Sequence, residues 1–207
     1  MSKTIIVFSP HNDDLEIGMG GTALKYIDEG YKIIKLILSA GQASNPHLRP
    51  EVVIKRREEE ALKVGNEFGI HKTIFFRLND QKLDKELPKI KDKILTIIKK
   101  EKPEKIYLPT ASDVHPDHRA AFNFVIGLIK DLDLEAYCYE VWSVVDEEHP
   151  QIYIDITNYL TKKLKMIDMF KTELVSVYVQ TIPILYRAWK YGFKINKKFA
   201  ERFYKIK

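Results

Sequence analysis

The chain has 207 residues, a length that suits one α/β domain better than two. Hydrophobic residues make up 45% of it, which is enough for a proper core. The net charge of +5 is mild and the basic residues are spread along the chain, which argues against a dedicated nucleic-acid-binding protein.

Strands and helices are predicted to alternate along the chain. Short apolar or β-branched runs predict strands at 4–8, 32–38, 73–77, 105–108, 135–142 and 152–156. Helices are predicted at 18–29, 51–68, 86–100, 117–129 and 158–171, and from 196 onward. This alternation indicates an α/β fold in which a doubly wound, mainly parallel sheet carries helices on both faces. We expect a single domain over residues 1–207.

The predicted topology brings distant residues together. In a doubly wound sheet of order 3-2-1-4-5, strands one and four are neighbours, and a crevice opens at their carboxyl ends. His11 follows strand one, whereas His115 and His118 follow strand four. We therefore expect these three histidines to converge on one crevice.

Two polar clusters carry residues suited to metal chemistry. One runs from Pro10 to Asp14 and the other from Asp113 to Arg119, and together they hold three of the six histidines. A catalytic zinc typically takes three ligands from His and Asp or Glu and leaves its fourth position for water. His11, Asp14 and His118 match that ligand count and are the predicted metal ligands.

The residues beside these ligands suggest catalytic roles. Asp13 can aim at the same water and is the predicted general base. Pro116 suits the first turn of a helix, which lets both His115 and His118 face the crevice. A free His115 imidazolium can stabilise a developing oxyanion, and Asp117 can orient and charge that imidazole.

Other interpretations stay open on pattern alone. Either cluster by itself is as easily incidental as functional, and Asp13 and Asp14 can simply cap a helix. The run Gly18 to Gly21 does not complete the dinucleotide fingerprint G-x-G-x-x-G, so its glycines are expected to let a helix pack closely on a strand. A two-metal phosphoesterase would need more carboxylates and histidines than we identify. Arg57 can contact a substrate hydroxyl or phosphate, or can lie on a solvated helix face.

Taken together, these motifs resemble the LmbE-like or PIG-L family of zinc-dependent N-deacetylases. The run Pro10 to Asp14 is similar to the family motif Pro-His-Pro-Asp-Asp, and His115 to Arg119 is similar to its second motif. The run 18–22 matches the glycine run that follows the first motif, and weaker similarities lie in the runs 39–42, 57–69, 140–142 and 200–203. The resemblance spans nearly the whole chain.

The resemblance implies a Rossmann-like fold and the removal of an N-acetyl group, usually from an N-acetylglucosamine moiety. It implies one zinc ion, with iron as the alternative, and the same ligands, base and oxyanion stabiliser as above. It also implies that Arg57 contacts the substrate, a small molecule or glycoconjugate. A non-catalytic sugar- or nucleotide-binding module of the same fold is the rival hypothesis.

Two positions depart from the family pattern. Asn12 replaces the usual proline, which is expected to loosen the ligand loop without removing a ligand. Gln42 replaces an acidic residue near the substrate, which leaves substrate preference open.

The C-terminal part is predicted to be an extension of the domain. Residues 175–207 include a long apolar and aromatic segment, Val175 to Trp189, for which an interface is the natural use. We therefore expect a homo-oligomer.

The sequence also predicts the location of the protein. Cys138 is the only cysteine, so neither an intramolecular disulfide nor a cysteine-based zinc site can form. The apolar run at Thr4 to Phe8 is too short for a signal peptide, and no stretch approaches the roughly 18 apolar residues of a membrane span. We expect a cytoplasmic protein with no membrane span.

Overall fold

The secondary structure is taken from a computed structural model that describes residues 3–142 and 149–207, without the side chains of residues 173–178 and 180. The strands are β1 (Thr4–Ser9), β2 (Lys32–Ser39), β3 (Lys72–Leu78), β4 (Lys105–Pro109), β5 (Glu135–Tyr139), β6 (Gln151–Asp155) and β7 (Ala200–Lys205). The helices are α1 (Asp14–Asp28), α2 (Pro50–Phe68), α3 (Leu83–Glu86), α4 (Lys91–Glu101), α5 (Pro116–Ile129), α6 (Leu160–Asp168) and α7 (Leu174–Lys194).

The strands form one sheet in the order β3-β2-β1-β4-β5-β7-β6. The first five strands pair in parallel, and β7 runs antiparallel to both β5 and β6. The order 3-2-1-4-5 and the mainly parallel, doubly wound sheet are therefore confirmed.

Hydrophobic side chains pack on both faces of the sheet. In β1, Ile5 and Val7 join a cluster that includes side chains of α1, α2 and α6. Ile6 and Phe8 point to the opposite face and join a cluster with side chains of α4 and α5. Successive strand residues point to opposite faces, so a strand covered on both sides is apolar throughout. This explains why β1 is buried at every residue.

The C-terminal tail differs from its prediction. We expected a helix from Asn196, but residues 200–205 form β7, which lies between β5 and β6. Glutamate and arginine are seldom fully buried unless paired, and here Glu201 and Arg202 are both buried in ion pairs, with Lys163 and Glu140 respectively. The paired charges are what allow this charged segment to lie inside the sheet.

The first helix also begins earlier than predicted. It starts at Asp14 rather than Gly18, and it is broken at Met19, whose φ of −145° is not helical. The backbone N–H groups of Gly21 and Thr22, just after the break, donate to the Glu201 carboxylate at 3.0 and 2.7 Å. A break in a helix leaves N–H groups without helical partners, and here a buried carboxylate accepts from two of them.

The expected close packing of the glycines is confirmed. A Cβ atom added at Gly18 would lie 2.2 Å from a ring carbon of Tyr139 in β5, and one at Gly21 would lie 2.8 Å from the side chain of Ile156. A larger residue would clash with β5 at Gly18 and with the segment after β6 at Gly21.

The apolar segment beginning at Val175 lies in α7, although its first side chains are outside the described residues. Among the described residues, no helix combines the length and apolar character needed to cross a bilayer.

Candidate metal centre

The ends of β1 and β4 bring the two motif histidines together. The two strands pair side by side, with Val7 opposite Tyr107. His11 lies two residues beyond the end of β1, and His118 lies in the first turn of α5, which follows β4. Their ring centroids are 5.2 Å apart, although 107 positions separate them in sequence. The predicted convergence at the crevice is therefore observed.

Three donor groups form a small triangle. The Nδ1 atom of His11 lies 3.2 Å from the Nε2 atom of His118. The Asp14 carboxylate approaches both nitrogens through different oxygens, with Oδ2 3.5 Å from His11 Nδ1 and Oδ1 3.3 Å from His118 Nε2. Tetrahedral ligands at the usual zinc–nitrogen distance are about 3.3 Å from one another. The separation of the two histidine nitrogens therefore fits two ligands of a tetrahedrally bound ion, and the Asp14 carboxylate lies close to both nitrogens.

A second carboxylate lies behind each histidine. The Nε2 atom of His11 is 3.2 Å from Asp80 Oδ1, and the Nδ1 atom of His118 is 3.3 Å from Asp113 Oδ1. In metal sites, a ligating histidine usually gives its other ring N–H to a carboxylate, which fixes the tautomer and the ring orientation. With their other nitrogens facing these carboxylates, His11 Nδ1 and His118 Nε2 face each other and the Asp14 carboxylate, where a metal ion would bind.

The surrounding carboxylates change the acidity of the histidines. Burial opposes protonation of His118, but the Asp14 charge and the Asp113 contact outweigh it and raise its pKa to about 9. Burial likewise opposes protonation of His11, and the contacts with Asp117, Asp14 and Asp80 raise its pKa well above the ordinary value. The site therefore stabilises positive charge at the positions where a metal ion would sit.

His115 occupies the N-cap of α5, beside the triangle. Its ring lies 4.6 Å from the ring of His11, centroid to centroid. Burial and the nearby His11 and His118 charges lower its pKa, and its Nδ1 accepts a hydrogen bond from the Asp117 backbone N–H at 3.2 Å. A neutral imidazole whose Nδ1 accepts carries its proton on Nε2. In its neutral form His115 therefore offers an Nε2–H donor, and the lowered pKa disfavours the imidazolium that the sequence suggested.

The Asp117 side chain is placed differently from the prediction. Its carboxylate accepts hydrogen bonds from the backbone N–H groups of Gln81 and Leu83 at 2.7 and 3.2 Å, and Oδ2 lies 3.7 Å from His11 Nε2. Asp117 positions His115 through its backbone N–H, while its carboxylate joins the loop after β3 to the site.

Asp13 and Arg57 lie side by side in the wall of the site cavity. The Asp13 Oδ1 atom lies 3.5 Å from Arg57 Nη2, and both residues line the cavity that contains His11 and Asp14. Arg57 is 3% exposed, which excludes the solvated helix face as its environment. Gly41, at a positive φ of 66°, makes room for it, because a Cβ there would lie 2.7 Å from Arg57 Nε.

Asn12 joins the ligand loop to Arg57 and Lys35. Its side-chain oxygen accepts from Arg57 Nε at 3.3 Å, and its backbone carbonyl accepts from the buried Lys35 Nζ. Lys35 is held in turn by Glu16, at 2.6 Å. The expected loosening of the loop relative to a proline stays a prediction.

Sequence reasoning assigned no role to Asp80 or Asp113. Asp113 lies within the second motif, and its position two residues before His115 was the available signal. Asp80 lies in the loop after β3, two strands away from β1, where no motif marks it. The site therefore contains two carboxylates that were not identified from the sequence.

The donor atoms also admit other groupings. His11, His115 and His118 form one set whose potential ligand atoms lie within 4.8 Å of one another, and His11, Asp80 and Asp117 form another. In the second set, both carboxylates already accept backbone N–H groups, of Ala43 for Asp80 and of Gln81 and Leu83 for Asp117. Asp14 Oδ2 likewise accepts from the His11 backbone N–H at 2.6 Å, but both oxygens of Asp80 and of Asp117 accept hydrogen bonds, which favours a supporting role for these two over direct ligation.

Comparison with known proteins identifies close relatives. Residues 6–129, more than half of the chain, match the PIG-L family, described as GlcNAc-PI de-N-acetylase. Diacetylchitobiose deacetylase from Thermococcus kodakarensis is 26% identical over 89% of this chain and 78% of that protein. The solved structure of N,N'-diacetylchitobiose deacetylase from Pyrococcus horikoshii, in complex with its inhibitor MPG, has a TM-score of 0.85 at 23% identity and covers 99% of this chain and 84% of that one.

The fold alone does not specify the reaction. The 4-carboxy-2-hydroxymuconate hydratase GalB from Pseudomonas putida KT2440 has a TM-score of 0.75 at 18% identity, over 99% of this chain and 96% of that one. The family match is more informative because residues 6–129 include both motifs and all the site residues described above. The chain therefore belongs to the PIG-L family and is an N-deacetylase, a hydrolase that cleaves an amide C–N bond.

Proposed function

We propose that this chain is a zinc-dependent hydrolase that removes the N-acetyl group from a substrate containing N-acetylglucosamine. The observation that carries the proposal is the triangle of His11, Asp14 and His118 donors, with separations of 3.2–3.5 Å, in a member of a metal-dependent family. The substrate class follows the names of the family and of the Thermococcus relative.

The donor set suits zinc. Two imidazoles and one carboxylate, with room for water, make a common catalytic zinc site, although the same set also binds non-haem iron. When bound, zinc lowers the pKa of a coordinated water and polarises the acyl oxygen.

Asp13 is the proposed general base. Its carboxylate adjoins the ligand Asp14 in sequence and lines the same cavity as His11. Arg57, 3.5 Å from Asp13 Oδ1, keeps that carboxylate oriented. Asp13 takes a proton from the attacking water and returns it to the departing nitrogen, so that acetate and a free amine are the products.

His115 is the proposed oxyanion donor. Its Nδ1 is engaged by the Asp117 backbone, so its Nε2–H remains available to the carbonyl oxygen as that oxygen gains negative charge. A neutral donor suits a position beside two histidines whose pKa values are raised.

Arg57 is proposed to contact a substrate hydroxyl. It lines the cavity with Asp13, and its guanidinium is a planar group of five N–H donors, which suits hydroxyl oxygens. Trp142 lines the same cavity at 46% exposure and offers an apolar face to a sugar ring.

Acetate release tests the proposal. The zinc-loaded chain is incubated with N-acetylglucosamine, N,N'-diacetylchitobiose and lipid-linked N-acetylglucosamine, and both acetate and free amine are measured. We expect release from at least one substrate, loss of release after chelation and recovery with zinc. Binding of these sugars without turnover, at full metal occupancy, would favour the non-catalytic binding module instead.

Two variants test whether Asp13 acts as the base and His115 as the oxyanion donor, and whether either residue binds the metal. Asp13→Asn keeps the size of the side chain and should lower kcat by about 10²–10⁴-fold with zinc retained. His115→Ala should lower kcat by about 10²–10³-fold and also keep its zinc. Unchanged acetate release in Asp13→Asn would contradict the base assignment, and loss of zinc from His115→Ala would make His115 a ligand.

A further inference from the structure

Helix α7 carries a row of large apolar side chains that face away from the protein. Val179 is 66% exposed, Ile182 75%, Tyr186 58%, Trp189 57% and Phe193 80%. We call these five residues the α7 stripe. Monomeric proteins rarely expose so many neighbouring large apolar side chains without a function for them.

The stripe has the spacing of a helix-pairing surface. Its members follow one another at intervals of three, four, three and four residues. Hydrophobic residues that repeat every 3.5 residues on average place their side chains along one seam, where a second helix can pack knobs into holes. The opposite face of α7 is already used, because Ile184, Ala188 and Tyr191 are each at most 3% exposed against the protein itself.

The exposed area approaches what a specific dimer needs. An aromatic side chain can bury about 150–250 Å², and three of the five stripe residues are aromatic. At the observed exposures, the stripe offers on the order of 500–600 Å² per copy. Two copies would then bury about 1,000–1,200 Å², which is near the lower bound for a biological interface.

We infer that the α7 stripe is a dimerisation surface, at which α7 pairs antiparallel with α7 of a second copy of this chain around a two-fold axis. An axis between Tyr186 and Trp189 places Ile182 opposite the partner subunit's Phe193. It also places Tyr186 opposite the partner subunit's Trp189. On each side of the axis, the aliphatic Ile182 of one copy thus contacts the aromatic ring of Phe193 of the partner subunit. The same surface is used by both copies, as a two-fold interface requires.

The charges of α7 favour this arrangement. In a parallel pair, Lys190 would lie beside its own copy, whereas the antiparallel axis places it opposite the partner subunit's Leu185. The other cations of α7 turn toward their own chain. Arg187 donates to the Val141 carbonyl at 3.0 Å, and Lys194 lies 5.7 Å from the centre of the Tyr153 ring. A helix that binds an anionic membrane would instead present its cations beside the apolar face.

The oligomeric state of the full chain tests the inference, which is independent of the proposed reaction. Light scattering after size exclusion, at micromolar concentrations, should give an assembly with an even number of chains. Ile182→Glu and Phe193→Glu should each halve its mass. Both side chains are at least 75% exposed, so the variants should fold and keep the wild-type circular dichroism spectrum. Leu62→Glu on α2, at 45% exposure, is the matched control and should leave the mass unchanged.

Disulfide trapping tests the antiparallel geometry. Cys138 is 2% exposed and does not compete. An oxidised mixture of Ile182→Cys and Phe193→Cys chains should form a cross-linked heterodimer far faster than either variant alone. Rapid cross-linking of Ile182→Cys with itself would overturn the antiparallel pairing.

A monomeric wild-type chain, or glutamate variants of unchanged mass, would overturn the inference altogether. Vesicles of phosphatidylglycerol and phosphatidylcholine provide the competing outcome. A monomeric chain that sediments with anionic vesicles, and loses that binding in Phe193→Glu, would assign the stripe to membranes instead.

Discussion

Two groups of charged side chains are buried in this protein, one at the ends of β1 and β4 and the other around β7. Around β7, each charge has an opposite partner: Glu140 pairs with Arg202, and Lys163 pairs with Glu201. The metal centre differs because its described carboxylates outnumber its one guanidinium, that of Arg57. These carboxylates are Asp13, Asp14, Asp80, Asp113 and Asp117.

The excess of carboxylates distinguishes the metal centre from the ion pairs around β7, which serve the structure. Buried ion pairs that close on themselves need no further partner. A buried excess of negative charge is costly unless cations or protons compensate it. In the metal centre, protons on His11 and His118 provide that compensation, as their raised pKa values indicate. A bound cation would provide it better, and we expect mutations in the two groups to have different consequences.

The largest expected effect is on the metal centre. Asp14→Ala removes a ligand and the charge nearest to both histidines, and should abolish stoichiometric zinc binding. Since bound zinc contributes several kcal/mol to the transition state, activity should fall by about 10³-fold or more. Zinc content by plasma mass spectrometry and acetate release measure the two effects. Asp131→Ala, at an exposed position, is the control, and zinc retained at wild-type affinity in Asp14→Ala would remove Asp14 from the ligand set.

The group around β7 should respond in stability rather than in metal binding. Glu201→Ala leaves Lys163 buried without its partner and deprives Gly21 and Thr22 of their acceptor. Breaking one side of a buried pair costs about 3–5 kcal/mol. Guanidinium unfolding should show this loss, while the folded variant keeps its zinc.

A double variant gives the matched comparison. Lys163→Met combined with Glu201→Gln removes the buried cation and keeps an oxygen for the two backbone N–H groups. It should therefore be more stable than Glu201→Ala. A Glu201→Ala chain that unfolds within about 1 kcal/mol of wild type would contradict the structural role of this pair.

The same contrast explains what the sequence could predict. The strand order and the meeting of His11 with His118 were predictable, because apolar runs and the Pro116 helix start are local signals. The strand β7 was not, because Glu201 and Arg202 resemble solvent residues until their buried partners are known. Burial that depends on a partner distant in sequence leaves no local pattern.

Asp80 is a carboxylate of the metal centre that we expect to support the ligand His11 without binding the metal itself. Its Oδ1 lies 3.2 Å from His11 Nε2, and its Oδ2 accepts from the Ala43 backbone N–H. Asp80→Asn keeps the shape but removes the charge, and should weaken zinc affinity or activity by about 10–100-fold. Competition with a zinc chelator measures the affinity. A loss as large as that of Asp14→Ala would make Asp80 a ligand rather than a support.

The smallest expected effect is the pH dependence of the metal-free protein. The pKa of His118 is raised to about 9, since the Asp14 charge and the Asp113 contact outweigh burial. A group with a raised pKa in the folded state adds stability below its ordinary pKa of about 6.5, and that stability is lost as the pH rises through the folded value. In a chelator, Tm should therefore fall between about pH 6.5 and about pH 9.

Zinc should remove this dependence, because its binding displaces the proton from the ligand nitrogen and replaces one positive charge with another. Differential scanning fluorimetry with and without zinc compares the two states, and Asp14→Asn tests the cause, because it removes the carboxylate that holds the proton. A metal-free Tm that stays level or rises over this interval would mean that His118 is already neutral. Another cation would then have to compensate the excess carboxylate charge of the metal centre. The excess of carboxylates would no longer distinguish the metal centre from the paired charges around β7.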